Sequence, residues 1–453
     1  MKQSHLQIHI PDYAQAALQA LEGAGYESWC VGGCIRDALL GTAVNDYDIA
    51  TSARWEDAEE ALGKRGFDIH RTGTKHGTIT AVLDGHSLEI TTFRTDGAYT
   101  DGRHPDSVTF VRSIEEDLAR RDFTVNALAY HPERGLLDCH GGLDDLEAKI
   151  IRAVGDPSKR FSEDGLRILR GCRFASQLGF TIEPDTLFAM HSHKLRLASV
   201  SAERITHELD GLLLGEHVHD ALMDTANVLA AVIPEAAACI GFEQRTPYHI
   251  YDVWEHTAWV VQRSPATRLS RWAALLHDIG KPGAFFMDGD RAHFYGHPKL
   301  SVALSRGLLS RLAIAPTLAK RILTLVEMHD VVITANHRSV KRLLQKLGGD
   351  VELFEALIAL KKADALAQSE LSRPRLDLAY DLERVLGEVT ASAEAFTIGQ
   401  LAINGHDIMD LGVEHGPEVG RLLNSTLDAV IDEEVANERD ALIGYVRAHL
   451  PNS

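Results

Sequence analysis

Asp46 and Asp48 stand either side of Tyr47 in the run NDYDIAT, and this pair could do chemistry. Alternate side chains of a strand share a face, so both carboxylates point the same way. Carboxylates on one face suit hard divalent cations. Two Mg²⁺ ions held there would activate an attacking hydroxyl and neutralise a triphosphate with its leaving pyrophosphate. Upstream, VGGCIRD carries Gly32, Gly33 and Arg36. A strand leading into Gly-Gly lets backbone N–H groups approach a phosphate with no Cβ in the way. Glu89 in LEITTFR alternates with Leu88 and Ile90, so it points away from the apolar face. It is the candidate third carboxylate, with a solvent-facing edge charge as the alternative. A lone Asp-x-Asp says little, whereas one behind a Gly-Gly turn says more.

Further runs follow: DGAYTDGRHPDSVTF (96–110), ARRDFTVNALAY (119–130), LDCHGGLDDL (137–146), EDGLRILRGCRF (163–174) and, near the end, LAINGHDIMDLGVEHGPEVGRLL. With these, the chain resembles the bacterial class II tRNA nucleotidyltransferases, the CCA-adding enzymes and their poly(A) polymerase relatives. The resemblance runs from about Tyr26 to Gly215 and returns near the C-terminus. It implies that Asp46, Asp48 and Glu89 are catalytic and hold two Mg²⁺, and that CTP, ATP and tRNA are the partners. Arg121, Asp122 and Asn126 match the family's ribose-recognition positions, and a carboxylate there can accept from ribose hydroxyls. Glu163, Asp164 and Arg167 match its base-recognition motif, with Glu163 orienting the arginine. Asp164 and Arg167 are three apart, so on a helix they share a face. One acceptor beside one donor set suits the pairing edges of cytosine and adenine. Uracil and guanine would set a carbonyl against the carboxylate, a mismatch costing at least ~1–3 kcal/mol. Arg170 and Arg173 continue the helix toward base or phosphate. The 96–110 run resembles the loop implied in switching from CTP to ATP, which CC-only members lack. The C-terminal run resembles a tail that touches the tRNA elbow.

A second set is separate. His256, His277-Asp278 and Asp364 have the H…HD…D order of HD phosphohydrolases, and His297 and His329 could complete a second metal position. Histidine and aspartate suit a divalent metal that activates water. The resemblance implies phosphatase or phosphodiesterase activity toward nucleotides or 3′-terminal phosphates, with the metal unidentified.

These residues need a scaffold. ESWCVGG, HGTITAVL, HSLEITTF and DSVTFV read as short strands, and WEDAEEALGKR as a helix between the first two. After Asp144 helical periodicity takes over. The fold expected is α+β multidomain, a mixed α/β nucleotidyltransferase head followed by an all-α remainder. The expected divisions are a catalytic head (1–143), a helical neck (144–215), a connector (216–247), an HD domain (248–372) and a tail (373–453). At 453 residues the chain is too long for one core. Its five cysteines, with no CxxC pair, indicate no disulfide framework and no zinc ribbon. No apolar run approaches the ~18 residues of a membrane span, and the expected location is cytoplasmic. The net charge of −19 argues against a protein that coats nucleic acid and leaves room for a local basic stripe. Two rivals remain on sequence: an A-adding or poly(A) enzyme on the same fold, and an HD phosphohydrolase whose head only binds nucleotide or RNA.

Overall fold

Strand alternation builds the first part of the chain. In the computed structural model, which describes residues 7–44, 46–96, 108–392 and 394–450, contacts divide the chain into two units, meeting at Pro234 and Glu235. The first opens with α1 (Asp12–Gly23), β1 (Ser28–Val31), α2 (Gly33–Leu40), β2 (Tyr47–Thr51), α3 (Trp55–Gly63), β3 (Asp68–Gly73), β4 (Thr78–Leu83) and β5 (His86–Thr92). A small pair, β6 (Arg94–Asp96) and β7 (Val108–Phe110), precedes α4 (Ile114–Ala119), β8 (Leu128–His131) and β9 (Gly135–Asp138).

The large sheet runs in the order β3-β4-β5-β2-β1-β8-β9. Only β2 and β5 pair in parallel; the other neighbours are antiparallel. The pleat explains the pattern on β5. Leu88, Ile90 and Thr92 are buried while Ser87 and Glu89 face out. On β2, Tyr47 and Ile49 go inward and Asp48 outward. Beneath β1 and β2, Trp29, Val31, Ala50, Phe93, Ile114, Leu118 and Ala129 pack into one cluster. A fully buried ring such as Phe93 contributes about 1.5–3 kcal/mol relative to exposure.

Helices then take over, as the periodicity predicts. They are α5 (Gly142–Ala148), α6 (Pro157–Glu163), α7 (Leu166–Leu178), α8 (Pro184–His193), α9 (Ala202–Leu213), α10 (Val218–Asp224) and α11 (Ala226–Leu229). One short parallel pair, β10 (Ile150–Ile151) with β11 (Thr181–Ile182), lies among them. α7 buries Leu166, Ile168, Leu169, Cys172 and Ala175, and packs on α9 and α10.

One expectation fails here. Asp164 and Arg167 do not share a helix. Asp164 is extended (φ −134°, ψ 109°) and ends α6, and α7 starts at Leu166. Gly165 between them lies so close to the main chain of Arg196 that a Cβ would sit 3.1 Å from its carbonyl oxygen. The break is a tertiary constraint, which spacing alone does not reveal.

The second unit is helical apart from one hairpin, β12 (Phe286–Asp288) with β13 (Arg291–His293). Its helices are α12 (Val253–Arg263), α13 (Arg268–Leu276), α14 (Lys281–Ala284), α15 (His297–Arg311), α16 (Pro316–Met328), α17 (His337–Lys346), α18 (Val351–Leu366), α19 (Arg373–Ala391), α20 (Gly405–Met409), α21 (Pro417–Ile431) and α22 (Arg439–Ala448). Pro374 sits in the first turn of α19, where its missing N–H costs nothing, and α19 packs on α18. A separate core joins α20, α21 and α22 around Ile408, Leu422, Ile431 and Leu442. The five cysteines are free. No described helix is long and apolar enough to cross a membrane. The run at 96–110 falls almost wholly outside the described residues.

Candidate active site and metal centre

The parallel register of β2 and β5 sets Asp48 beside Glu89. Asp48 also pairs with Val31, the last residue of β1 before Gly32. Asp46, two residues before Asp48, is exposed at the same mouth. All three line a cleft of about 670 Å³. Among the described residues none of the three carboxylates has a side-chain hydrogen bond or ion pair, so their oxygens stay open to the cleft. The crowding raises Asp48 to about 6, first through desolvation and then through the charge of Glu89. A divalent cation would relieve that repulsion, so the donor set fits one.

Gly32 has φ +81° and ψ −135°, outside the range of L side chains, and it caps the start of α2. A Cβ there would meet the Arg121 guanidinium at 2.9 Å. Gly32→Ala should therefore lower head stability by about 1–3 kcal/mol and displace Arg121. Denaturant melts of the variant check the first expectation, and an undiminished midpoint would refute it.

Arg36, Arg121, Asp122, Asn126, Asp164, Arg167, Arg170 and Arg173, with Gly32 and Gly33, line the same cleft. Glu163 is not on its wall but holds Arg167 at 2.6 Å. The Arg167 guanidinium also donates to the carbonyls of Arg160 (3.2 Å) and Arg120 (2.9 Å). Asp164 accepts from Leu166 N (2.9 Å) and Arg204 (3.1 Å). Asp122 is buried and accepts from Phe123 N, Asn126 and Arg170 at 2.8, 3.2 and 2.6 Å. Burial would raise its pKa, but the charge and hydrogen bond of Arg170 win and hold it at about 2. Asn126 in turn accepts from Arg36 at 2.6 Å. Asp122 is thus tied into a network of protein donors.

Sequence reasoning missed several parts. Asp117 is fully buried and binds Arg120 (2.8 Å) and Arg121 (3.4 Å). Burial pushes its carboxyl up, but the two arginines outweigh that and hold it below its ordinary value. Phe174 packs against the guanidinium groups of Arg36, Arg170 and Arg173, at 5.1, 5.3 and 4.3 Å. Arg204 comes from α9, and nothing local in AERITHEL signals it. The cleft wall carries eight arginines against five carboxylates. That local excess reconciles a net charge of −19 with an anionic ligand.

The histidines form a second centre, wholly within the second unit. His256 lies in α12, His277 and His329 cap the C-termini of α13 and α16, His297 opens α15, and Asp364 lies in α18. Asp278 stands among them. Its Oδ2 is 3.4 Å from His256 Nε2 and 3.1 Å from His277 Nε2; its Oδ1 is 3.2 Å from His297 Nε2 and 3.6 Å from His329 Nε2. Asp364 Oδ1 is 3.1 Å from His256 Nε2.

All four rings turn Nδ1 to main-chain carbonyls, of Ala367, Ala274, Phe294 and Val326. That contact places the proton on Nδ1 and leaves Nε2 as a ligand. The Nε2 atoms then face each other in pairs, His256 with His277 at 3.4 Å and His297 with His329 at 3.1 Å. Facing lone pairs at that distance repel unless a cation lies between them, so divalent metals fit. Two groups have ligand atoms within 4.8 Å of one another: His256, His277 and Asp278, and Asp278, His297 and His329. Among the described residues these are the groups with that spacing. Lys281 Nζ lies 2.6 Å from Asp278 Oδ2 and sets a positive charge against the buried carboxylate.

Comparison with known proteins follows the same division. The family "Poly A polymerase head domain" matches residues 28–152, and "HD domain" matches 247–368. A family described as tRNA nucleotidyltransferase domain 2 matches 353–446. The CCA-adding enzyme of Levilactobacillus brevis is 34% identical over 451 residues, covering 97% of this chain and 98% of that one. This chain belongs to the CCA-adding enzyme family. The CCA-adding enzyme of Geobacillus stearothermophilus is 33% identical over 450 residues, covering 96% of each chain. The crystal structure of the Bacillus stearothermophilus CCA-adding enzyme in complex with CTP matches with a TM-score of 0.73 at 30% identity, over 96% of both chains. Both families imply a dependence on divalent metals, in line with the donor groups of the histidine centre.

Proposed function

We propose that this protein builds and repairs the 3′ end of tRNA by adding CMP, CMP and AMP from CTP and ATP, without a nucleic-acid template. What carries the reading is the single cleft that Asp46, Asp48 and Glu89 line together with Asp164 and Arg167. Mg²⁺, as two ions on Asp46, Asp48 and Glu89, would supply the charge that activates the terminal hydroxyl and neutralises pyrophosphate. Gly32, Gly33 and Arg36 lie where the triphosphate needs N–H and cationic donors. Arg121, Asp122 and Asn126 order the ribose side. Arg167, fixed by Glu163, presents donors, and Asp164 keeps two of its four acceptor positions free for the base. Arg170 and Arg173, held by Asp122 and Glu208, line the nucleotide's far side. The divisions at 143, 215, 247 and 372 and a cytoplasmic location belong to the same reading.

The purified protein, given tRNA lacking CCA, CA or A with labelled CTP or ATP, should extend all three. Failure to incorporate CMP would sink the full CCA reading. Chelation should stop incorporation on every substrate.

The histidine geometry supports a second activity. His256, His277, Asp278 and Asp364 would hold one metal, and His297 and His329 would complete a second position beside Asp278. This centre hydrolyses phosphate esters of nucleotides or of RNA 3′ ends.

A further inference from the structure

Beside the histidine centre lies a pocket of about 520 Å³, and Asp278, His297, His329 and Asp364 form part of its lining. Two features of the lining have no role in holding a metal. One is cationic: Lys281, Arg291 and Arg375 stand around the acidic floor. Lys281 is buried and spends its charge on Asp278 at 2.6 Å, and Arg375 leans on Asp330 at 2.9 Å. Arg291 is exposed at the head of β13.

The other feature is aromatic. His293 and Tyr295 line the pocket, and their rings stack 5.0 Å apart at 19°. Phe286, across the hairpin, stacks on His293 at 5.4 Å and 27°. The alternation of β13 continues past its end, so Ala292 is buried while Tyr295 is left 74% exposed. Phe286 is 45% exposed. A hairpin of two three-residue strands gains little by showing flat rings to water. Flat rings at the rim of a cationic pocket are what a nucleobase stacks on.

From this we infer that the β12–β13 hairpin is a base platform: the nucleobase of the substrate stacks on Tyr295, backed by His293 and Phe286, while Arg291 meets its phosphate and directs it to the histidine centre. The ligand is a nucleoside phosphate, either free or as the 3′-phosphorylated end of a single-stranded RNA. In the reaction that follows, water adds to phosphorus, the bond from phosphorus to the ribose oxygen breaks, and that oxygen takes the proton. The inference rests on the phosphohydrolase reading above, and the platform and the metal centre can fail separately.

2-Aminopurine fluoresces and is quenched on stacking, so it reads the platform without turnover. The probes are 2-aminopurine ribonucleoside 3′-phosphate and a short ribo-oligonucleotide ending in the same group. Each is titrated into the full chain with metal chelated. The head cleft is the same in every variant, so differences between variants report on the hairpin. Tyr295→Ala should lose the quench and weaken binding about 5- to 100-fold. Tyr295→Phe should keep both. Arg291→Ala should weaken binding yet quench fully at saturation. The probe that binds more tightly names the source of the ligand, and either result supports the platform. Quenching unchanged in Tyr295→Ala overturns it. If the metal-loaded chain releases no phosphate from either probe, the phosphohydrolase reading fails instead, whatever the quenching shows.

Discussion

Asp48→Asn should reduce CMP and AMP incorporation by at least about 10³-fold and leave the head as stable as before, or more stable. The first half follows from the role proposed for the carboxylate. A group that helps hold the cations at the reacting phosphate supplies stabilisation found mainly in the transition state, and ~4 kcal/mol of it corresponds to roughly 10³ in rate. The second half follows from the register of β2 and β5. Asp48 and Glu89 are held side by side, and desolvation and that charge push Asp48 up to about 6. In the metal-free protein at neutral pH this is a net cost, because the folded state disfavours the ionised form that the unfolded chain carries freely. The amide keeps the shape and removes one of the two charges. Thermal melts and single-turnover incorporation on one protein sample test both halves. Added Mg²⁺ should raise the melting temperature of the parent more than that of the variant. Incorporation within tenfold of the parent would sink the catalytic assignment. A large drop in stability would sink the electrostatic account.

That Asp46 and Asp48 share a face was legible in the sequence because the pleat has a period of two. Glu89 was legible for the same reason, but its partner was not. Only the parallel pairing of two strands some forty residues apart puts it beside Asp48. The helices of the second part were legible as apolar periodicity, and the order of His256, His277, Asp278 and Asp364 named a centre before its geometry was known. What stayed hidden was long-range. Arg170 reaches Asp122 across 48 residues, Arg167 reaches the carbonyl of Arg120 across 47, and Arg204 reaches Asp164 across 40. Local pattern carries no information about such ties. The break at Gly165 was hidden for the same reason, since its cause is the main chain of Arg196. The helix-face argument for Asp164 and Arg167 was therefore wrong in its geometry, although both residues do line one cleft.

The way Arg167 is held makes the other large prediction. Its guanidinium binds three fixed acceptors, the Glu163 carboxylate and the carbonyls of Arg160 and Arg120. The side chain is buried, so its direction is set by those bonds rather than by solvent. Lysine keeps the charge, but its single ammonium cannot span three acceptors and still face a base. Arg167→Lys should therefore lower kcat/KM for CTP and ATP and cut discrimination against UTP by about 10- to 100-fold, the size of one or two lost polar contacts. Asp164→Asn makes the complementary case. Its carboxylate already accepts from Leu166 N and Arg204, so the free oxygen positions are what face the base. An amide nitrogen there offers a donor where cytosine and adenine also carry one, and where uracil carries an acceptor. UMP incorporation should then rise relative to CMP, whereas Arg167→Lys should mainly depress the correct nucleotides. Competition between CTP and UTP on tRNA lacking CCA measures both ratios. If each variant slows all four nucleotides by a common factor, the pair holds the neck in place and does not read the base.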